Sequence, residues 1–307
     1  MTQYEPAYQM PHAAANEPQR NPHDYQHFEV RPLSGALGAE LIGVDVNALS
    51  DAAFGELRQA LLDHQVLAIR DQDLTPAGQT SFGERFGPLK KYDFVDPLDE
   101  HPFVTEIRSE PEDIFNFGGG WHSDSMNYER PPGLTMLYAR ECPPVGGDTA
   151  FANLYLAWES LSPGLRALLQ PMKQITATSL SYGSSTMVGT STYKDQISTP
   201  TQMAAEQEDD EFEHPVARTH PDTGRLALYV CSAYTARFKS MTRSESLPLL
   251  KHLFEQTYQP EFTCRVTWQP GTLTVWDNRC VVHYAHNDYP GSLRIMHRVI
   301  VDGERPS

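Results

Sequence analysis

One short segment carries a pair of side chains that could bind a metal ion. His122 and Asp124 lie two residues apart in GGGWHSDSMNY. On an extended strand, residues at positions i and i+2 point to the same face, so this imidazole and carboxylate could reach one ion. A second histidine would complete a two-histidine, one-carboxylate set, which leaves coordination positions open and suits non-haem Fe(II). We therefore predict a metal site here.

The second histidine is expected in the segment WDNRCVVHYAHNDYP. It contains His283 and His286, which are three residues apart, so only one of them is expected to face inward. His283 follows an apolar run that is typical of the core, whereas His286 lies in a polar stretch before Pro290 and Gly291 that reads as a turn. We therefore choose His283 as the ligand and place His286 at the surface or behind the ligands.

Two arginines near the end of the chain lie in the strand-like sequence RIMHRVIV. Arg294 and Arg298 share one face of such a strand and would stand about 13 Å apart. If that face is the interior, the buried guanidinium groups need anions, and arginine suits carboxylates, sulfonates and phosphates. The alternative is a pair of surface arginines in salt bridges.

The elements that must position these residues are mainly short strands. Ser50 and Thr75 predict helix N-caps, and further helices are expected near 154–161, 163–169 and 245–258. Short apolar runs separated by turn signals predict strands at HFEVRPL, AELIGVDV, QVLAIR, PFVTEIR, PGLTMLYAR, PVARTH, RLALYV, FTCRVTW, TLTVW and RIMHRVIV. The pattern indicates a β-sandwich or barrel with helices packed outside.

The chain divides into a tail and one domain. Residues 1–26 are rich in polar residues and proline without periodicity, which predicts a flexible tail before a single domain over 27–307. Residues 180–213 contain many Ser and Thr residues and then an acidic run. A segment of this kind is either a solvated insertion or a lid over an active site, and the sequence leaves both open.

Composition limits the partners and the compartment. The 307-residue chain has a net charge of −16, which argues against nucleic acid or an anionic membrane as its main partner. It has no run of about 20 apolar residues and no signal-peptide pattern, so we expect a cytoplasmic protein. The spacing of the cysteines fits no common zinc or redox motif, and we expect free thiols at Cys142, Cys231, Cys264 and Cys280.

Over about residues 28–306 the sequence resembles the taurine dioxygenase and 2,4-dichlorophenoxyacetate dioxygenase family. The motifs appear in the family's order: RFGPL, WHSD, PPVGGDT, HPVARTHPDTGRLALYV, WDNRCVVHYAHNDY and RIMHRVIVDGERP. The resemblance implies a mainly β double-stranded β-helix, or jelly roll, with flanking helices. It also implies an Fe(II) enzyme that uses 2-oxoglutarate and O2 to hydroxylate a small organic anion, in some cases cleaving a carbon–heteroatom bond, and a homo-oligomer.

The resemblance also implies residue roles. Thr149, in GGDT, would contact a carboxylate of 2-oxoglutarate, Arg294 would pair with its far carboxylate, and Arg298 would face the acidic group of the substrate. The iron ligands, which carry catalysis, would be His122, Asp124 and His283.

The sequence departs from the taurine enzyme in its substrate-contacting regions. A histidine soon after that enzyme's FG-x-L segment is replaced by the stretch Lys90-Lys91-Tyr92, and an asparagine before its first ligand is replaced by Gly118. We expect Tyr92 and Gly118 to line the substrate pocket, which would admit an aryloxy or alkyl body. Taurine is expected to be a poor substrate beside other sulfonates, sulfate esters or aryloxyalkanoates.

Two other classes of protein remain open on the residues alone. A zinc-dependent hydrolase could use the same three ligands, but it leaves Thr149 and Arg294 without a role. A non-catalytic binding protein on the same barrel would not need a complete ligand set. A dioxygenase would release succinate from 2-oxoglutarate, whereas a zinc hydrolase or a binding protein would not.

Overall fold

A long, mainly antiparallel sheet is the largest feature of the computed structural model, which describes residues 23–182, 197–199 and 210–307. We call it the major sheet. Its neighbouring strands, in hydrogen-bonded order, are β1 (Glu29–Pro32), β2 (Ala39–Ile42), β3 (Val66–Ile69), β15 (Leu273–Asp277), β7 (Leu134–Glu141), β17 (Arg294–Val301), β6 (His101–Ser109) and β5 (Pro97–Leu98). The short β4 (Leu89–Lys90) pairs with the end of β17.

Smaller antiparallel sheets form the opposite layer. One has the order β14 (Thr263–Val266), β8 (Thr149–Asn153), β16 (Val281–Ala285), and another the order β10 (Glu211–Pro215), β9 (Lys173–Ala177), β13 (Thr235–Phe238). A third pairs β11 (Ala217–Thr219) with β12 (Leu226–Leu228). Two layers of antiparallel strands with helices outside confirm the predicted jelly roll.

Two helices begin at the N-caps that the sequence predicts. The Ser50 hydroxyl accepts a hydrogen bond from Ala53 N at the start of α1 (Asp51–His64), and Thr75 does the same from Gly78 N for α2 (Pro76–Glu84). The others are α3 (Leu154–Glu159), α4 (Pro163–Leu169), α5 (Ser179–Tyr182) and α6 (Arg243–Thr257). Among the described residues no helix has the length and hydropathy needed to span a bilayer.

The core has two parts, one on each face of the major sheet. The inner cluster fills the space between the two layers and includes Phe151, Trp276 and Met296. The outer cluster lies between the major sheet and helices α1 and α2, and it includes Leu57 and Val299. Met296 and Val299 therefore lie on opposite faces of β17, as the predicted alternation requires.

Some segments differ from the predictions. The sequence did not predict strands β4, β5, β8, β9, β13 and β16 or helix α5. Residues 211–213, which we assigned to the end of the insertion, form part of β10 instead. Glu213 fits there because its carboxylate pairs with Lys173 of the adjoining β9 at 2.6 Å and with Lys239, which follows β13, at 2.5 Å. Most of the proposed lid, residues 183–196 and 200–209, lies outside the described residues.

The first described residues contact α1. The Tyr25 hydroxyl donates to Asp63 Oδ2 at 2.5 Å, and Gln26 N donates to Glu56 Oε2 at 2.9 Å. These residues were assigned to the tail from the sequence, but their hydrogen bonds tie residues 23–26 to the first helix. Residues 1–22, the rest of the predicted tail, lie outside the described part of the chain.

Candidate metal centre and adjoining cavities

Backbone hydrogen bonds join the two histidine segments directly. His122 N donates to His283 O at 3.0 Å, and His283 N donates to His122 O at 2.7 Å, as an isolated β-bridge. This pairing places the ring centroids 4.1 Å apart. Two histidines from distant parts of the sequence therefore share one edge of the cavity between the layers.

Asp124 completes the group, but not from a strand as we predicted. The bridge at His122 is a single residue and is followed by a turn, in which Ser125 has a φ of 46°. The turn still brings Asp124 Oδ1 to 3.7 Å from His122 Nε2 and 3.8 Å from His283 Nε2. One ligand atom from each residue lies within 4.8 Å of the others, so the three could hold one cation.

His286 is not part of this group. Its ring packs against Tyr284 at a centroid distance of 5.1 Å, and its backbone N–H donates to Asp148 O at 2.9 Å. The structure therefore brings His283, and not His286, to the His122–Asp124 pair.

The three residues offer atoms of the kind that a divalent metal binds. His122 Nδ1 lies 2.7 Å from Gly120 O, so this nitrogen donates its proton there and Nε2 is left to face the other two residues. Burial lowers the pKa of His283 to about 3, and the neighbouring His122 lowers it further. Burial raises the pKa of Asp124, but the neighbouring His283, Arg298 and His122 side chains outweigh it and lower the pKa below its usual value. Two imidazole nitrogens and one carboxylate suit a divalent ion such as Fe(II).

A cavity, which we call the inner cavity, lies against these ligands. Both arginines of β17 reach it, together with the Thr149 hydroxyl of β8. It is lined by Ile107, Phe117, Gly118, His122, Asp124, Leu137, Thr149, Trp276, His283, Ala285, Arg294 and Arg298. The metal-type residues and the residues predicted to bind 2-oxoglutarate therefore share one space.

Arg294 is the clearest sign that this cavity takes an anion. Its side chain is buried, with 6% of its surface exposed, and no described carboxylate lies within salt-bridge distance of it. Its neighbours are the rings of Trp268 and Tyr289, at 5.8 and 6.0 Å from the guanidinium carbon. Burial lowers the pKa of Arg294, yet a guanidinium keeps its proton in proteins. A buried cation in such surroundings calls for an anionic partner.

A second, larger space, the outer cavity, opens from the same ligands. It has a volume of about 480 Å³ and shares Phe117, Gly118, His122 and Asp124 with the inner cavity. Its other lining residues are Tyr92, Phe115, Asn116, Gly119, Gly120, Ser181, Ala233, Tyr234, Tyr284 and Asn287. Tyr92 and Gly118, the residues expected at the substrate pocket, both line this cavity, whereas Lys90 donates to Arg130 O.

Two features shape the boundary between the cavities. Gly118 has a φ of 85°, which favours glycine, and a Cβ there would lie 3.4 Å from His122 Cε1. The Arg298 guanidinium stands over the Tyr92 ring at 3.7 Å, and its Nη1 lies 3.8 Å from Asp124 Oδ1. Arg298 therefore stands beside both the metal-type carboxylate and the aromatic wall.

Two polar residues behind Asp124 were missed by the sequence analysis. Thr135 Oγ1 donates to Asp124 Oδ2 at 2.6 Å, and Asn278 Nδ2 donates to Thr135 Oγ1 at 2.8 Å. The available signal was Asn278 itself, a polar residue between an apolar strand and the ligand His283. Thr135 gives no signal in the sequence.

A second group of ligand-type residues lies outside the cavities. His220, Asp277 and Cys280 are buried, and their ligand atoms also lie within 4.8 Å of one another. The Asp277 carboxylate, however, accepts from His220 Nε2 at 3.0 Å and from Arg279 Nε and Nη2 at 2.8 and 2.6 Å. Its oxygens are already engaged.

A jelly roll with two histidines and a carboxylate beside a buried arginine defines the class of Fe(II)- and 2-oxoglutarate-dependent dioxygenases. The chain belongs to the taurine catabolism dioxygenase TauD, TfdA family, whose match covers residues 29–300.

Individual relatives agree with this assignment. The chain is 31% identical to an alkylsulfatase of Acinetobacter baylyi, covering 91% of this chain and 86% of that protein. It is 30% identical to an alpha-ketoglutarate-dependent sulfate ester dioxygenase of Pseudomonas putida, covering 91% of each. Its fold matches a taurine dioxygenase structure from Burkholderia xenovorans with a TM-score of 0.75 and 31% identity, over 92% of this chain and 93% of that one.

A further structural relative bears on the cosubstrate. The protein AAD-2, solved in complex with Mn(II) and N-oxalylglycine, matches with a TM-score of 0.72 and 25% identity over 92% of this chain and 99% of that one. The chain is thus an oxidoreductase, a dioxygenase that requires Fe(II) and uses 2-oxoglutarate and O2 as cosubstrates.

Proposed function

We propose that His122, Asp124 and His283 bind the iron and that Thr149 and Arg294 bind 2-oxoglutarate in the inner cavity. The observation that carries this proposal is the buried Arg294 guanidinium, which faces the same cavity as the three ligands and has no described carboxylate as a partner. A dicarboxylate supplies the missing anion. When bound, the iron supplies the oxidative chemistry that couples loss of CO2 from 2-oxoglutarate to hydroxylation of a substrate C–H bond.

The Thr149 hydroxyl can donate a hydrogen bond to a carboxylate in the inner cavity. The Trp268 indole, which can only donate, gives a hydrogen bond to Thr149 Oγ1 at 3.0 Å. Because that oxygen already accepts this bond, its own proton is available to a cavity anion. Thr149 and Arg294 therefore offer donors to one ligand.

The outer cavity favours an organic anion with an apolar or aromatic body. Arg298 would hold the anionic group at the boundary between the cavities, next to Tyr92. Aromatic rings and three glycines form most of the outer lining, and Asp124 is the only carboxylate that the described residues contribute to it. The ammonium group of taurine would find no other acidic partner among them.

This substrate class agrees with what the relatives are named for, which includes sulfate esters, sulfonates and (S)-phenoxypropionate. We propose a sulfate ester, sulfonate or aryloxyalkanoate as substrate and taurine as a poor one. Hydroxylation of a carbon that bears a heteroatom leaving group gives a product that collapses and cleaves that bond.

The test is a screen for substrate-dependent succinate formation. The protein with Fe(II), 2-oxoglutarate and O2 is offered alkyl sulfates, alkyl and aryl sulfonates, aryloxyalkanoates and taurine. We expect the alkyl and aryl anions to raise succinate release well above taurine, with the organic product formed in equal amount. Preferential turnover of taurine, or absence of succinate with every compound, would refute the proposed substrate class.

We also infer that the protein works in a reducing compartment, the cytoplasm, as a homo-oligomer. All four cysteines are free thiols, and three of them are buried, which agrees with the prediction and suits a reducing environment.

The proposal of a homo-oligomer rests on the family resemblance. Light scattering of the purified protein tests it, and a monomeric mass would contradict it.

A further inference from the structure

The Asn278 side chain is held in one orientation by donors on one side. The Trp276 indole N–H donates to Asn278 Oδ1 at 3.0 Å, and Asp124 N donates to the same oxygen at 3.4 Å. An indole N–H and a backbone N–H can only donate, so this end of the amide must be the oxygen. The amide nitrogen is therefore directed at Thr135 Oγ1, at 2.8 Å.

This orientation sets the direction of the next hydrogen bond. Thr135 Oγ1 accepts from Asn278 Nδ2, so its single proton is free to point to Asp124 Oδ2, which lies 2.6 Å away. Thr135 and Asn278 are both fully buried, so water does not compete for these groups. A hydroxyl bound to an ionised carboxylate at this distance makes a strong, charge-assisted hydrogen bond.

The two oxygens of Asp124 therefore have different surroundings. Oδ2 is committed to Thr135, whereas Oδ1 faces His122 Nε2 at 3.7 Å and His283 Nε2 at 3.8 Å. A metal ion between the two imidazoles would meet Oδ1 only. A carboxylate that binds through one oxygen leaves one more coordination position open than a carboxylate that binds through both.

The turn that carries Asn278 is itself fixed. Asn278 N donates to Gly133 O at 2.9 Å, and the Ser123 hydroxyl donates to Asn278 O at 2.8 Å. The preceding residue, Asp277, is held by Arg279 and His220. The amide thus approaches Thr135 from a rigid support, which is what a positioning group requires.

We propose that Asn278 and Thr135 are positioning residues that reserve Oδ2 of Asp124 and present Oδ1 alone to the metal. This inference rests on the proposed function, because it requires that Asp124 is a metal ligand. Without the hydrogen bond from Thr135, the carboxylate can turn, bind through both oxygens and fill a position that the cosubstrates need.

The experiment compares Co(II) binding and the visible spectrum of bound Co(II), which depends on coordination number, in four proteins: the unmodified enzyme, Thr135→Val, Thr135→Ser and Thr274→Val. Thr274 is the matched control, because it is equally buried on the neighbouring strand and its hydroxyl has no hydrogen-bond partner among the described residues. We expect Thr135→Val to weaken Co(II) binding by about 10- to 100-fold and to change the spectrum. Thr135→Ser and Thr274→Val should match the unmodified enzyme.

Asn278→Ala removes the donor to Thr135 Oγ1 and keeps the test valid if Thr135→Val does not fold. We expect a smaller effect in the same direction, because Thr135 can still donate but is no longer oriented. Unchanged affinity and spectrum in Thr135→Val, or in Asn278→Ala if only that variant folds, would overturn the inference. Asp124→Ala separates the two levels of failure. If Asp124→Ala loses Co(II) but Thr135→Val behaves as the unmodified enzyme, only the positioning role is refuted. If Asp124→Ala still binds Co(II), the proposed metal site is refuted and the inference with it.

Discussion

The described residues contain two groups of metal-ligand-type side chains, and the two differ in how many of their lone pairs are already used. In the first group, His122, Asp124 and His283, the imidazole Nε2 atoms and Asp124 Oδ1 face a cavity. In the second, His220 Nε2 bonds to Asp277, and His220 Nδ1 accepts from two backbone N–H groups at 3.2 Å. In both groups the ligand-type atoms lie within 4.8 Å of one another, so the difference lies in which lone pairs are already used.

The cations beside the two groups differ in the same way. Arg279 pairs with Asp277 at 2.6 Å and Asp222 at 2.9 Å, so its charge is neutralised within the chain. Arg294 pairs with no described carboxylate. Burial raises the pKa of Asp277, but Arg279 and His220 outweigh burial and hold it well below its usual value. The second group is a closed structural cluster, whereas the first lines a cavity beside a buried arginine.

The largest expected effect tests which group binds metal. Asp124→Ala should abolish both succinate formation and tight metal binding, because the site loses its only negative ligand. Co(II) titration should give one site per chain in the unmodified protein. His286→Ala is the matched control and should keep both properties. A second equivalent of tightly bound metal that disappears in His220→Ala would show that the closed cluster also binds metal.

The next effect concerns the two cations. Arg294→Ala should raise the apparent KM for 2-oxoglutarate by tens-fold or more, because loss of one partner of a buried charge typically costs about 2–5 kcal/mol in binding. Steady-state kinetics with varied 2-oxoglutarate measure this. Arg279→Ala should instead reduce the free energy of unfolding and leave that KM unchanged. Equal KM values for Arg294→Ala and the unmodified enzyme would contradict the role of Arg294.

A smaller and more selective effect is expected at Arg298. Arg298→Ala should raise the KM for the substrate anion by roughly tenfold or more, since a charge-assisted hydrogen bond contributes about 1.5–3 kcal/mol. The affinity for 2-oxoglutarate, measured by calorimetry in the absence of substrate, should change little. If the unmodified enzyme turns over a neutral analogue as well as the anion, Arg298 does not anchor the substrate.

The smallest effect belongs to the closed cluster. His220→Ala removes a donor to the buried Asp277 and an acceptor for two backbone N–H groups, and it should reduce the free energy of unfolding by about 1–3 kcal/mol. Urea denaturation measures the change. The amount of metal bound per chain and the KM for 2-oxoglutarate should not change. A lower metal content or a higher KM in His220→Ala would show that the closed cluster contributes to the function of the first group.

Local patterns predicted a large part of this molecule. The two arginines were placed on one face of β17 because strand alternation depends on neighbouring residues only, and the structure lines the inner cavity with both. The helix starts at Ser50 and Thr75 follow equally local rules. The choice of His283 over His286 rested on an apolar run, and the structure places His283 beside His122 and Asp124.

Interactions between distant residues were out of reach. Thr135 and Asn278 meet across two adjacent parts of the site, and neither residue type alone signals the contact. The strand assigned to His122 and Asp124 is a single bridge followed by a turn, because its partner is one residue of β16 and not a full strand. Strand β8 was missed because its sequence, TAFAN, is rich in alanine and ends in an asparagine that caps α3.

The backbone bridge between His122 and His283 gives the metal a part in folding. These residues lie about 160 positions apart, so closing this contact costs the chain considerable configurational entropy. An ion bound by both side chains acts as a reversible cross-link at that closure. Because metal binds the native chain and not the separated ends, the midpoint of thermal unfolding should rise with metal concentration. If His122 and His283 hold the iron as proposed, removal of the metal should lower this midpoint as well as the activity.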